Sequence, residues 1–299
     1  MIRIGILGSD SSHALAFSKL CNVPDKTTGE YAYPDIRITT IYGHDKAQTE
    51  NVALKGQIET IAATPDEVLE NVDAAMILSR DGNLHASYAL PFIKAKIPVW
   101  IDKPFTVTIE DAIMLLKEAD AHNSLITGGS TCKYSHDVLH LAEIANQGIL
   151  GNVTSGYLNF PGDVNSPYNG LHFYGPHMAE MIFTIFGYQI KSITATLHNN
   201  ELICIANYEE KSIVLNFTNN IADSFCLIHG DKQSYAGKIN IDEATYKLGF
   251  EKFVEMLQIG KRPISLDKLI APTILLTAIL ESLATGREVS LDNYYISIS

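Results

Sequence analysis

Five short, almost purely apolar runs punctuate the first 130 residues, and each is separated from the next by helical stretches. The runs are Ile2–Leu7, Ile36–Tyr42, 74–78, 98–101 and 124–127. A strand that is apolar on every residue, not on alternate ones, is covered on both faces. Strands of that kind joined by single helices describe a doubly wound parallel sheet. The intervening helices are marked by their own signals. Ser11 and Ser12 precede an apolar face made of Ala14, Leu15, Phe17 and Leu20. Lys46 opens a polar helix, and Thr64-Pro65 opens a short one, with proline in the first turn. Segments 84–95 and 108–122 complete the alternation, the latter with its acidic residues in the first turn. In such a sheet, ligands bind beyond the carboxyl ends of the strands. The segments to inspect are therefore 8–12, 42–45, 79–85 and 102–105.

The second half has another rhythm. A helix over 134–146 leads to a strand near 153–159, a loop rich in Gly, Pro and Asn, and a helix over 176–186. Alternating segments at 190–197, 202–208, 212–217 and 224–228 follow, joined by short turns such as Asn199-Asn200 and Glu209-Glu210. Consecutive strands with short turns predict a mostly antiparallel sheet. Helices over 244–258 and 266–284 close the chain. The expected architecture is α/β: a Rossmann-like dinucleotide-binding domain over 1–125, and an α+β domain for substrate and oligomerisation over 126–299.

Composition narrows the function. The chain has 299 residues and a formal net charge of −12. An acidic balance argues against nucleic-acid or membrane-surface binding, which want a basic face. The apolar stretch 270–283 is broken by Pro272, Thr277 and Glu281 and reads as too short and too polar to span a bilayer. The strand at the very start leads us to expect no signal peptide. Cys21, Cys132, Cys204 and Cys226 form no CxxC pair and read as reduced thiols of a cytoplasmic protein. Asp10, His13, His85, His172, His177 and Glu180 are of metal-ligand type, but no pair among them has a dedicated ligand spacing, so no metal is expected.

Three stretches together resemble the Gfo/Idh/MocA family of nicotinamide-dependent oxidoreductases. They are Ile4-Gly5-Ile6-Leu7-Gly8, Asp102-Lys103-Pro104 in place of the family's Glu-Lys-Pro, and Gly175-Pro176-His177-Met178-Ala179-Glu180 in place of its Gly-x-His-x-x-Asp. His85 stands where the family often has a histidine, and Gly148-Ile149-Leu150-Gly151 and Thr285-Gly286-Arg287-Glu288-Val289 look like its turns. The resemblance runs in order along the whole chain. It implies NAD or NADP as cofactor and hydride transfer at a hydroxyl-bearing carbon. Lys103 would position and polarise that hydroxyl, and His177 would accept its proton. It implies cofactor contacts from Gly8, Ser9, Ser11, Ser12, Asp45, His85, Asp102 and Lys103. It also implies a homodimer or homotetramer packed through the C-terminal sheet.

Beside the resemblance, the residues carry their own chemistry. An imidazole such as that of His177 takes up a proton near neutrality. The loop 163–174 offers Asn165, Tyr168, Asn169, His172 and Tyr174, and with Glu180 nearby these hydroxyl, amide and imidazole groups suit a polar small molecule such as a sugar or inositol. No arginine occurs between Ala86 and Leu257, so bidentate capture of a carboxylate is not expected there.

The departures are specific. A dinucleotide loop wants G-x-G-x-x-G, and the register Gly8-Ser9-Asp10-Ser11-Ser12-His13 keeps only the first glycine. No carboxylate directly ends the strand Ile36–Tyr42; Asp45 is the substitute, while His44 or Lys46 would suit a 2′-phosphate. Phe173 stands where the family often has an aspartate before the histidine, and Arg80-Asp81-Gly82 where many members carry Thr-Pro. A non-catalytic, ligand-sensing protein on the same fold is the alternative reading.

Overall fold

The computed structural model describes residues 1–218 and 223–295. The chain divides into two compact units. The first comprises Met1–Thr106, Glu110–Gly129 and Tyr246–Leu266. The second comprises Val107–Ile109, Ser130–Thr245 and the described residues from Asp267 onward.

The first unit alternates β1 (Ile2–Leu7), α1 (Ser12–Asn22), β2 (Ile36–Tyr42), α2 (Lys46–Gly56), β3 (Thr60–Ile61), α3 (Pro65–Asn71), β4 (Ala74–Ile77), α4 (Asn83–Lys94), β5 (Val99–Ile101), α5 (Ile109–Ala121) and β6 (Ile126–Gly128). The sheet order is β3-β2-β1-β4-β5-β6, with every pair parallel. This is the expected doubly wound sheet. Its order reverses between β1 and β4, which opens a crevice at their carboxyl ends. Ile4, Ile6, Met76 and Trp100 of the strands pack with Phe17 of α1 in one fully buried cluster.

That cluster also takes Phe250, Phe253 and Met256 from a late helix, Ala244–Ile259. The Phe17 and Phe250 ring centroids are 5.9 Å apart, and those of Trp100 and Phe253 6.2 Å. Arg262 then donates to the carbonyls of Ala119 and Ser124. The unit therefore differs from the contiguous span 1–125 drawn from sequence: it lacks residues 107–109, runs on to Gly129 and takes back Tyr246–Leu266 from late in the chain. An aromatic helix face announces that it needs burial, not which sheet will bury it.

In the second unit a 3-10 turn (Thr131–Tyr134) precedes α6 (His136–Asn146) and β7 (Val153–Pro161). A second 3-10 turn (Gly170–His172) precedes α7 (Gly175–Phe186). The strands β8 (Ser192–His198), β9 (Glu201–Asn207), β10 (Ser212–Thr218), β11 (Ser224–Gly230) and β12 (Ser234–Ile239) follow. The late helix is α8 in chain order, and α9 (Leu266–Thr285), β13 (Val289–Ser290) and α10 (Asp292–Tyr295) end the described chain. The sheet order is β12-β11-β7-β10-β9-β8-β13. It is antiparallel except where β7 and β10 run parallel. Leu202, Cys204 and Ala206 of β9 face inward, while Ile203 and Ile205 are 43% and 42% exposed on the opposite face. All four cysteines are buried and unbridged.

One expectation needs correcting. The segment read as too short and too polar for a bilayer belongs to the 20-residue α9, whose mean hydropathy of 1.4 makes it long and apolar enough to cross one. Its interruptions do not end the helix: Thr277 returns its hydroxyl to the Thr273 carbonyl. In this fold 61% of that stretch is buried inside the protein, as in a core helix.

Candidate active site

The turn leaving β1 is built on Gly8, whose φ is +107°. A side chain there would be strained, and its Cβ would come within 2.2 Å of the Ser79 backbone nitrogen. Ser9 turns inward to Thr49, Oγ to Oγ1 at 2.8 Å. Asp10 accepts the Arg80 amide at 3.1 Å, so its carboxylate is tied to the loop after β4. Ser11 is the N-cap of α1 but makes no capping bond with its side chain, and its buried Oγ has no partner among the described residues. The first turn of α1 thus keeps uncapped amides and a spare hydroxyl, the chemistry that receives an anion at a helix N-terminus.

Asp45 is committed elsewhere than sequence suggested: it caps α2, accepting the Gln48 amide at 2.9 Å. His44 Nε2 lies 2.5 Å from the Tyr88 hydroxyl, with Tyr42 edge-on to both rings. Burial and the neighbouring Tyr42 push the Tyr88 phenol up to about 12, so it remains a donor. His85 is fully buried, and both ring nitrogens meet carbonyl oxygens, Pro104 at 2.6 Å and Ser79 at 2.8 Å. It clamps the ends of β4 and β5 together and presents no ring nitrogen to a ligand.

Asp102 and the half-buried Lys103 directly follow β5 and precede a cis peptide at Pro104. Asp102 Oδ2 lies 2.5 Å from Nδ1 of His13. Burial opposes the Asp102 charge, but His13 by charge and hydrogen bond, with Lys103, outweighs it and holds the carboxyl below the ordinary aspartate range.

In the second unit, Gly175 and Pro176 open α7 and set His177 on its first turn. Ser130 Oγ is 2.6 Å from His177 Nδ1, and Cys132 Sγ is 3.3 Å from the same nitrogen. The rings of Phe160 and Tyr174 contact the imidazole at 5.8 and 5.5 Å. One turn further along α7, Glu180 Oε1 accepts from Lys133 Nζ at 2.9 Å, both groups being almost fully enclosed. Burial works against the Lys133 ammonium, but Glu180 more than offsets it and lifts its pKa above the ordinary lysine value. Glu180 Oε2 has no partner among the described residues.

His172 lies buried in the second 3-10 turn, where desolvation lowers its pKa. A cleft of about 500 Å³ is lined by Pro161, Gly162, Asp163, Asn165, Tyr174, Asn200 and Thr218. Of the loop residues named from sequence, Asn165 and Tyr174 line it, while Tyr168, Asn169 and His172 do not. Tyr168 instead lays its ring against Phe173 at 4.9 Å. Among the described residues no group of three or more His, Cys, Asp or Glu is arranged to hold a metal.

Ser130 and Lys133 were not legible as site residues in the sequence, and His13 was legible only as the start of a helix and as one of the residues of metal-ligand type. The available signal was position: Ser130 to Lys133 follow the carboxyl end of β6, where a parallel sheet exposes its functional loops.

Residues 2–130 match the model of the Gfo/Idh/MocA group, described as an oxidoreductase family with an NAD-binding Rossmann fold. An inositol 2-dehydrogenase of Rhodococcus erythropolis is 26% identical over 154 residues, 50% of this chain and 40% of that enzyme. A probable dehydrogenase of Thermotoga maritima superposes with a TM-score of 0.84 at 16% identity, covering 98% of this chain and all of the other. The scyllo-inositol dehydrogenase of Lactobacillus casei, solved with NAD(H) and scyllo-inositol, gives 0.82 at 16% identity over 98% and 99% of the two chains. At such identities the superpositions establish the fold.

Proposed function

From the match of residues 2–130 to the Gfo/Idh/MocA oxidoreductase family, we infer that the chain is a member of that family and moves a hydride between NAD or NADP and a hydroxyl-bearing carbon of an inositol, a sugar or a related polyol. The observation that carries the reading is His177. Its ring is fixed at Nδ1 by Ser130 and touches Tyr174, and Tyr174 lines a polar cleft of about 500 Å³. A proton acceptor beside carboxylate, amide and phenol groups suits a polyhydroxylated ligand.

The residues present fit a dinucleotide. Gly8 keeps the tight turn, and the uncapped amides of α1 with Ser9, Ser11 and Ser12 would hold the phosphates. Asp102 and Lys103 are assigned to the reactive end of the cofactor, within the first unit. When bound, the nicotinamide supplies the hydride acceptor or donor. Lys103 provides an ammonium whose charge is felt at the adjoining Asp102 carboxylate. His177 accepts the substrate hydroxyl proton at Nε2, and Nδ1 faces groups that can take its other hydrogen.

The oligomer belongs to the same reading, a homodimer or homotetramer through the second sheet. Its support is the row of exposed apolar residues, Ile203, Ile205 and Phe225, on the face away from the helices. A cytoplasmic location is supported by the four unbridged cysteines.

Asp10 in the glycine loop and Asp45 committed as a helix cap favour a second reading, a ligand sensor without cofactor. Calorimetric titration with NAD(H) and NADP(H), after a denatured sample is checked for carried-over cofactor, separates the two. Micromolar binding followed by NAD(P) reduction in a polyol screen supports the dehydrogenase. Absence of binding at millimolar cofactor, with none carried over, rejects it.

A further inference from the structure

The third glycine of a dinucleotide fingerprint lets the first helix pack closely on the strand before it. Here that place holds His13, and its ring must be accommodated. The ring crosses to the end of β5, where Nδ1 meets Asp102 Oδ2 at 2.5 Å. Phe17 packs edge-on at 6.3 Å and Tyr246 at 5.0 Å, leaving His13 only 9% exposed.

The contact matters because of what Asp102 is. It is 1% exposed and immediately precedes Lys103. A carboxylate enclosed to that degree is costly unless a cation or donor meets it. His13 meets one oxygen. The other, Oδ1, is buried and has no partner among the described residues. His85, the other histidine at these strand ends, has both its nitrogens spent on the Ser79 and Pro104 carbonyls. Among the described residues the carboxylate is thus held by His13 at one oxygen, and one acceptor oxygen is left over.

We propose that His13 is a positioning residue for the nicotinamide half of the cofactor: it holds the Asp102 carboxyl oriented, so that Asp102 Oδ1 and the adjoining Lys103 receive that half. The lost glycine and the gained imidazole are then one adaptation, in which the dinucleotide loop is tied to the strand end that bears the lysine. The inference rests on the cofactor reading above and concerns residues of the first unit alone.

The test needs no substrate. NADH and ADP-ribose, which lacks the nicotinamide ring, are titrated separately against the full-length protein, by fluorescence and calorimetry respectively. His13→Phe keeps an aromatic ring against Phe17 and Tyr246 but donates nothing to Asp102. It is expected to weaken NADH binding roughly ten-fold, the scale of a hydrogen bond to a charged group, and to leave ADP-ribose binding within about two-fold. His13→Gln, which can donate one hydrogen bond, recovers part of the loss. The double variant His13→Phe, Asp102→Asn binds NADH no more weakly than Asp102→Asn alone, because the two residues act as one. His13→Gly restores the third glycine of the fingerprint and is expected to bind NADH more weakly all the same.

Unchanged or tighter NADH binding by folded His13→Phe and His13→Gly overturns the proposal while leaving the cofactor reading intact. Equal loss of NADH and ADP-ribose also overturns it, since His13 would then act on the phosphates or the fold. Wild-type protein that binds neither ligand overturns both readings together. Thermal melts accompany each variant, and if His13→Gly does not fold, His13→Phe and His13→Gln decide the matter.

Discussion

The Ser130 hydroxyl lies 2.6 Å from His177 Nδ1 and also accepts the Cys132 amide at 3.1 Å. The residue four before His177 is Phe173, so no carboxylate of α7 or its approach stands in that role. A neutral hydroxyl orients the ring instead. In the function proposed above His177 takes a proton at Nε2 and carries its other hydrogen at Nδ1, where Ser130 Oγ lies at accepting distance.

Removing that acceptor should release the ring. Ser130→Ala is expected to lower kcat on the order of ten-fold with KM little changed, a fraction of what a general base contributes. ¹⁵N NMR of labelled histidine should show His177 moving toward a mixture of tautomers. Unaltered tautomer signals together with unaltered kcat would leave Ser130 a packing residue.

Lys133 and Glu180 form an enclosed ion pair at 2.9 Å. Lys133→Met strands the Glu180 carboxylate and should cost about 3–5 kcal/mol in urea unfolding. Adding Glu180→Leu should recover most of that loss, because two apolar side chains need no pairing. With its pKa raised, Lys133 stabilises the fold fully below the unfolded lysine value and loses that contribution as pH rises through its folded value. Lys133→Met should accordingly flatten the alkaline limb of the stability curve.

The acid limb reports Asp102. Its pKa lies below the ordinary 3.8, so its contribution is complete above that value and disappears as pH falls toward the folded pKa. Asp102→Asn should make the melting temperature less steeply dependent on pH below about 4. An identical slope in wild type and variant would mean that Asp102 is not charged in the folded protein.

Gly8 cannot become alanine without strain. Its φ of +107° and the approach to the Ser79 nitrogen should make Gly8→Ala destabilising by about 1–3 kcal/mol. Chemical denaturation measures this directly, and a loss within about 0.5 kcal/mol, the range of an ordinary surface change, would show that the turn can rearrange.

The apolar sheet face makes the last prediction. Ile205→Glu with Phe225→Glu should convert the proposed oligomer to monomers in sedimentation velocity, since both side chains are about two-fifths exposed on one face. Wild-type protein that sediments as a monomer would remove the oligomer from the reading.

Much of the first unit could be read from residues alone. A strand covered on both faces is an uninterrupted apolar run, as Ala74–Ile77 and Val99–Ile101 are, while Ile2–Leu7 and Ile36–Tyr42 are apolar runs with polar interruptions such as Arg3 and Arg37. The two-residue strands Thr60–Ile61 and Val289–Ser290 were not read, because two residues carry no periodicity. The second sheet was legible as alternation but not as order. β7 lies between β10 and β11 and runs parallel to β10, a choice that no turn near β7 announces.

The sequence by itself determined the longer helices and most strands, though not Ser234–Ile239, together with the tight turn at Gly8 and the placing of Lys103 after a strand and His177 on a first helical turn. Each of these depends on a few neighbouring residues, whose backbone preferences and apolar spacing are local. Only the tertiary structure decided that His13 meets Asp102 across 89 positions, that Ser130 holds His177 across 47, and that Lys133 neutralises Glu180 across 47. It also decided that residues from Tyr246 to Leu266 return to the first unit. A buried charge or a bare aromatic face requires a partner, but chain connectivity leaves the partner's identity open until the surfaces pack.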